Sequence, residues 1–155
     1  MEVTFSPALT GDAAAIAALV EAAYGRYVAR IGARPGPMLD DYKDVVAHHV
    51  VHVARSAGGI VGVLVLIEKE GGILLDNIAV SPEAQGRGLG GRLLDLAETE
   101  ALRRGYRRLD LYTHEMMTEN LKIYRRRGFV ETGRRTERGF PRVYMAKELD
   151  PGVRP

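Results

Sequence analysis

Between Ile78 and Gly91 the chain reads Ile-Ala-Val-Ser-Pro-Glu-Ala-Gln-Gly-Arg-Gly-Leu-Gly-Gly. A short apolar run stops at Pro82, and a glycine-rich loop then opens an amphipathic segment. Helix N-termini carry unpaired N–H groups and a partial positive charge, so they hold phosphate. Glycine lets the backbone approach such a ligand closely. The stretch therefore predicts a strand, a loop and a helix in that order, with a phosphorylated ligand at the loop.

The flanking residues predict the remaining elements. Val3 to Phe5 reads as a short strand. Thr10 or Asp12 caps a helix whose apolar face runs through Ile16, Leu19, Val20 and Tyr24. Arg34-Pro35-Gly36-Pro37 breaks it, and Asp40 to Ala47 reads as a second short helix. Val50 to Arg55 and Ile60 to Ile67 form a hairpin across Ser56-Ala57-Gly58-Gly59. Glu70-Gly71-Gly72 turns into a strand from Ile73 to Val80.

After the glycine loop, Leu89, Leu93, Leu96 and Ala97 mark one face of a helix that stops at Gly105. Arg107 to Thr113 alternates as a strand, and Thr118 to Arg127 is a short helix ended by Gly128. Phe129 to Thr136 and Phe140 to Lys147 form a hairpin around Glu137-Arg138-Gly139. Residues 1–149 then make a single domain, and 150–155 a frayed tail. The class is α/β of the mixed α+β kind, not a doubly wound parallel sheet.

Composition removes several functions. The chain has no cysteine, which excludes disulfides, thiolate metal sites and cysteine nucleophiles. A net charge of +2 is too mild to argue for nucleic acid, although the pI is about 9.0. No apolar run approaches the roughly 20 residues that span a bilayer, and no signal pattern opens the chain. The expectation is a soluble cytoplasmic protein that binds neither nucleic acid nor membrane.

The glycine loop has two readings. Gly86, Gly88 and Gly91 match G-x-G-x-x-G, and Asp110 lies about 20 residues on, where a ribose-binding acid is sought. In dinucleotide-binding folds the strand runs straight into the first glycine. Here Ser81 to Gln85 intervene, with Pro82 among them, and the preceding elements are hairpins. The second reading fits better. Gln85-Gly86-Arg87-Gly88-Leu89-Gly90 resembles the Q/R-x-x-G-x-G/A motif of the GCN5-related N-acetyltransferases (GNAT family). Tyr124-Arg125-Arg126-Arg127-Gly128-Phe129 resembles that family's Y-x-x-x-G-F signature. The resemblance covers nearly the whole chain and is best marked from Leu75 to Val130.

The resemblance implies the GNAT fold. Its mixed, mostly antiparallel sheet has about 6–7 strands and about 4 flanking helices, and splays at the acetyl-coenzyme A site. It implies acetyl transfer from acetyl-coenzyme A to a primary amine, by direct attack in a ternary complex and without a metal. The acceptor is a small-molecule or peptide amine. The pyrophosphate would lie on the N–H groups of Gln85, Gly86, Arg87, Gly88, Leu89, Gly90 and Gly91, with the Arg87 side chain adding charge. The pantetheine would run beside Ile78, Ala79 and Val80 as an added strand does. A backbone N–H near Val80 would polarise the thioester carbonyl.

Tyr124 resembles the family's general acid for the departing thiolate. Many relatives carry asparagine seven residues before this tyrosine. Met117 stands there in this chain, and Asn120, one helical turn from Tyr124, is the residue offered for that contact. The acceptor amine must lose a proton, at a cost of about 4–5 kcal/mol at pH 7 for a lysine-like amine. Some relatives hold a glutamate base where Leu74 stands. Asp76 shares its facing unless a bulge intervenes, and His114 shares a strand face with Tyr112. Asp76, His114 and a water relay all stay open, with Glu115 a weaker candidate.

The acceptor is expected against Tyr24 to Asp44 and the hairpin around Glu137 to Arg142. Tyr24, Tyr27, Asp40, Asp41 and Asp44 are the candidates for a cationic amine's pocket. Relatives are often dimers, so a homodimer is also open. The alternative function is a non-catalytic coenzyme A-binding regulatory or scaffold protein. His48, His49 and His52 read as solvated or structural residues, since no acid or cysteine completes a metal set. Arg125 to Arg127 and Arg134-Arg135 read as solvated faces, with one arginine available for a 3′-phosphate.

Overall fold

Helical spacing of the apolar residues assigns the helices to opposite faces of one sheet. The computed structural model describes residues 2–150, so the expected tail lies, apart from Asp150, outside the described residues. Seven strands are present: β1 (Thr4–Pro7), β2 (Val50–Ser56), β3 (Gly59–Lys69), β4 (Gly72–Val80), β5 (Arg108–His114), β6 (Val130–Glu137) and β7 (Phe140–Glu148). They stand in the order β1-β2-β3-β4-β5-β7-β6. All neighbours are antiparallel except β4 and β5. The mixed, mostly antiparallel sheet expected from the sequence is therefore present.

Helix α1 (Ala13–Ile31) buries Ile16, Leu19, Val20, Ala23, Tyr24 and Tyr27. With Tyr42 of the short helix α2 (Tyr42–His48) they pack on Val51, Val53, Val63 and Val65 of one sheet face. Helix α3 (Leu89–Arg103) buries Leu89, Leu93, Leu94 and Ala97 against Leu64, Leu66, Ile73 and Leu75 of the other. Helix α4 (Thr118–Arg126) adds Leu121 to that second face.

Two details of α1 differ from expectation. Asp12 occupies the N-cap position, but its side chain makes no cap bond to the helix. Its carboxylate instead accepts from the Leu9 N–H at 2.7 Å and from Arg55 at 2.6 Å, joining the helix start to β2. The helix also ends before the proline pair, at Gly32, whose φ of 81° is left-handed. That glycine donates its N–H to the Val28 carbonyl and closes the last turn.

Gly62 on β3 marks the close approach of α3. A Cβ there would stand 3.1 Å from Leu93 Cδ1 and 3.3 Å from Ala54 Cβ. Helix α3 therefore lies tightly on the strand that supports β4.

Two irregularities position the site. Leu75 pairs with Leu66 and Asn77 with Val65, so Asp76 faces no partner on β3. This bulge reverses the alternation: Leu75 belongs to the α3 face, whereas Asn77 and Ala79 point to the α1 face. Asp76 is the extra residue of the bulge, and it lies beside Asp40 and Tyr112 rather than in a ladder pair with β3. Secondly, β4 and β5 pair only at Leu74 with Asp110 and at Leu75 with Leu111. Beyond those pairs the two strands part, and the sheet opens at its centre.

Candidate active site

Two cavities flank the opening between β4 and β5. The larger, about 460 Å³, runs over the ends of β4, the glycine loop and the N-termini of α3 and α4. Of the residues expected at the donor, Ile78, Ala79, Val80, Gln85, Gly86, Gly88, Leu89, Gly90, Gly91, Asn120 and Tyr124 line it. Arg87 does not. The arginines on the cavity wall are instead Arg126 and Arg127 at the end of α4 and Arg26 of α1.

The loop has the form a phosphate cradle needs. Gly86 and Gly88 both hold φ at 79°, a conformation side chains rarely adopt. Nothing lies within 4 Å of where a Cβ would stand at Gly86, Gly88 or Gly90. Gly88 is the N-cap of α3, so the N–H groups of Leu89, Gly90 and Gly91 have no intrahelical acceptor. The Gln85 amide donates to the Val80 carbonyl at 3.1 Å and ties the loop back to the strand. Arg127 donates to the Gly91 carbonyl at 3.0 Å and pairs with Asp95, so it braces the end of α4 against α3 while also lining the larger cavity. These features fit a coenzyme A diphosphate.

The smaller cavity, about 260 Å³, lies across the opening between β4, β5, the segment before α2 and the β6–β7 turn. Asp76, His114 and Tyr112 all line it, as does Asp40. Burial, then the nearby Asp40 carboxylate, pushes the Asp76 carboxyl up to about 6, against the opposing pull of Arg142. Asp40 is likewise raised by burial. Asp41 and Asp44 stand elsewhere. Asp41 accepts the Lys43 N–H at the start of α2, and Asp44 pairs with His48. Tyr27 also moves out of the acceptor group, to the wall of the larger cavity.

Tyr24, Ile78, Asn120 and Tyr124 line both cavities. Their shared wall is where an amine on one side and a thioester on the other would meet. The Tyr124 ring packs edge-on against Phe129, with centroids 5.8 Å apart. Burial pushes its hydroxyl up to about 12, so it keeps its proton at neutral pH. Tyr24 donates to Asn77 Oδ1 at 2.7 Å and lies 3.1 Å from the Ile78 carbonyl. The Asn77 amide donates to the Tyr42 hydroxyl at 3.1 Å, and Tyr42 donates to the Pro37 carbonyl at 2.6 Å. This buried chain fixes the segment that carries Asp40. Sequence periodicity marks Tyr24 as an apolar-face residue, but it carries no sign of the bonds that join it to Asn77 and Tyr42.

The other candidates separate clearly. Met117 is buried among α1 and β4 residues, and its sulfur takes the Thr113 hydroxyl at 3.5 Å. The Asn120 amide also lies 3.5 Å from that sulfur, on the shared wall. His114 Nδ1 accepts the Met116 N–H at 3.0 Å. Burial lowers its pKa, so the ring is neutral at pH 7 and holds its proton on Nε2. Glu115 pairs with Arg134 at 3.7 Å, away from both cavities. His52 lies 3.4 Å from Glu100, and His48 pairs with Asp44. Among the described residues no three metal-ligating side chains stand together. No helix among them is long and apolar enough to cross a membrane.

Known proteins share this fold. The family model described as "Acetyltransferase (GNAT) domain" matches residues 47–131. A curated relative, the IAA acetyltransferase of Azospirillum brasilense, is 36% identical over 83 residues, covering 52% of this chain and 54% of the relative. The match thus spans about half the length of that relative. The PaiA N-acetyltransferase of Thermoplasma acidophilum, solved with coenzyme A, superposes with a TM-score of 0.80 at 16% identity. That match covers 96% of this chain and 100% of the other. A GNAT family acetyltransferase of Elizabethkingia anophelis with acetyl-CoA bound has a TM-score of 0.71 at 21% identity, covering 95% and 98% of the two chains. At such identities the superpositions speak for the fold. With more than half its length matched by the family model, the chain belongs to the GNAT acetyltransferase family.

Proposed function

We propose that the protein transfers an acetyl group from acetyl-coenzyme A to a primary amine. The observation that carries this reading is the shared wall of two cavities at the parting of β4 and β5. One cavity takes in the glycine loop and the other two carboxylates, so a phosphate-bearing donor and a cationic amine have separate places on either side of the shared wall. The donor's diphosphate rests on the Gly86 to Gly91 N–H groups, and its pantetheine lies beside Ile78, Ala79 and Val80.

The roles follow from the same geometry. Asp76 takes a proton from the ammonium form of the acceptor; a carboxyl of pKa about 6 is ionised at neutral pH and still basic enough to help. The amine nitrogen attacks the thioester carbonyl carbon, and a C–N bond forms. The C–S bond then breaks as the Tyr124 hydroxyl protonates the leaving sulfur. The second amine proton returns to Tyr124 through water, so the net reaction releases one proton. His114 acts as a wall residue rather than a base, because Nδ1 already accepts a hydrogen bond and Nε2 bears the proton. Asn120 orients the pantetheine.

The test is release of coenzyme A thiol across a panel of amines, for wild type and Tyr124→Phe. Turnover that falls in the variant supports the reading. Tight coenzyme A binding with no turnover of any amine would assign a non-catalytic regulatory role instead.

A further inference from the structure

The acceptor cavity carries charge of both signs on separate elements. Asp76 and Asp40 approach from β4 and the segment before α2, whereas Arg138 and Arg142 approach from the β6–β7 hairpin. The two arginines are not equivalent. Arg142 pairs with Glu137 at 3.1 Å and stacks on the Tyr112 ring at 4.3 Å. Arg138 is exposed, and no carboxylate among the described residues pairs with it. It therefore keeps its full capacity for an anion.

Its backbone points the same way. Arg138 is the only described non-glycine residue with positive φ, at 53°, and Gly139 follows at 82°. Two successive left-handed residues make the tight hairpin turn in which Asn-Gly is the unstrained choice. An arginine there bears a conformational cost, and such outliers cluster where a side chain has work to do. Apolar groups share the wall with these charges: Leu39 is 61% exposed, and Pro35 and Phe140 also line the cavity. The volume of about 260 Å³ falls below the roughly 300–1,000 Å³ of sites for drug-sized ligands.

Resting on the acetyltransferase reading, we infer that the acceptor is a small free amino acid with an apolar side chain. Its amine lies at Asp76 and Asp40, and its carboxylate at Arg138. A diamine would place its second cation against the arginines, and a multi-ring aminoglycoside would exceed the cavity. An acceptor with a neutral far end would leave Arg138 unused.

The experiment compares kcat/KM for leucine and phenylalanine with their decarboxylated amines, their amides and putrescine, using acetyl-coenzyme A and thiol release. Wild type is expected to prefer the amino acids over matched amines and amides by about 10- to 100-fold, the value of one charged hydrogen bond. In Arg138→Asn that ratio should collapse toward one through the amino-acid KM, and Arg138→Lys should restore part of it. Asparagine suits the turn, so an unlowered Tm shows that the loss is not misfolding. Turnover of amines, amides or putrescine as good as that of amino acids overturns this inference alone. So does a ratio unmoved by Arg138→Asn. No turnover of any amine overturns the acetyltransferase reading and this inference with it.

Discussion

The Tyr24 hydroxyl donates to Asn77 Oδ1 across 2.7 Å, from the middle of α1 to the first residue beyond the β4 bulge. Asn77 is 3% exposed and sits where β4 has already left β5. Its amide passes the chain of bonds on to Tyr42 and so to Pro37. One side chain therefore holds a helix, the open strand and the acceptor segment in a fixed relation.

Asn77→Ala should lower stability by about 1–3 kcal/mol, because the Tyr24 hydroxyl loses its nearest acceptor and the Tyr42 hydroxyl its donor. For a domain of this size that is a Tm lower by about 2–10 °C, read by calorimetry. Acceptor KM should rise as the segment carrying Asp40 loosens, while the KM for acetyl-coenzyme A stays near its wild-type value.

Tyr124→Phe should keep the fold, since the ring edge on Phe129 needs no hydroxyl. Its kcat should fall by about 10²-fold, at the low end for loss of a general acid because a thiolate leaves with little help. The KM for acetyl-coenzyme A should change little. Steady-state rates with a saturating amine check both numbers. An unchanged kcat would remove Tyr124 from the proton path.

The elements were legible because their signals are local. The apolar face of α1, the glycine hairpin between β2 and β3, and the glycine loop each lie within a few turns of chain. The glycine-loop side of the larger cavity was legible for the same reason, since Ile78 to Gly91 is one continuous stretch. Arg87 was the exception: alternation within a loop does not say which side chain faces the ligand, and Arg126 from α4 lines that wall instead. The acceptor side was least legible. A bulge at Asp76 arises from a register offset against β3, and no residue type in Leu75-Asp76-Asn77 announces it. Arg138 and Asp76 line one cavity only because β7 returns beside β5.

Two glycines separate binding from folding. Gly88→Ala places a side chain at φ 79°, which costs roughly 1–2 kcal/mol, and it deforms the first turn of α3, the proposed seat of the diphosphate. The KM for acetyl-coenzyme A should rise several-fold with a modest drop in Tm. Gly62→Ala instead drives a Cβ to 3.1 Å from Leu93 Cδ1. It should cost about 1–3 kcal/mol of stability and leave that KM unchanged. Paired melting curves and acetyl-coenzyme A titrations distinguish the two outcomes.

The Asp76 carboxyl links activity and stability with opposite signs. Its folded-state pKa of about 6 lies above the ordinary 3.8, so the folded protein binds this proton more tightly than the unfolded chain. The group's favourable contribution is complete below about pH 4 and is lost as pH rises through about 6. The charged form that the proposed base role requires is thus the form that burial disfavours, by on the order of 3 kcal/mol. Asp76→Asn removes that charge. The variant should melt higher than wild type at pH 8 and show little difference near pH 4, where both side chains are neutral. Wild-type kcat/KM should fall below about pH 6 as Asp76 takes up its proton. Asp76→Asn should be slower and should lack that acid limb. Melting temperatures and pH–rate profiles on the two proteins give both readouts. A variant that retains the limb would move the base to another group, while the stability difference would still report the buried charge.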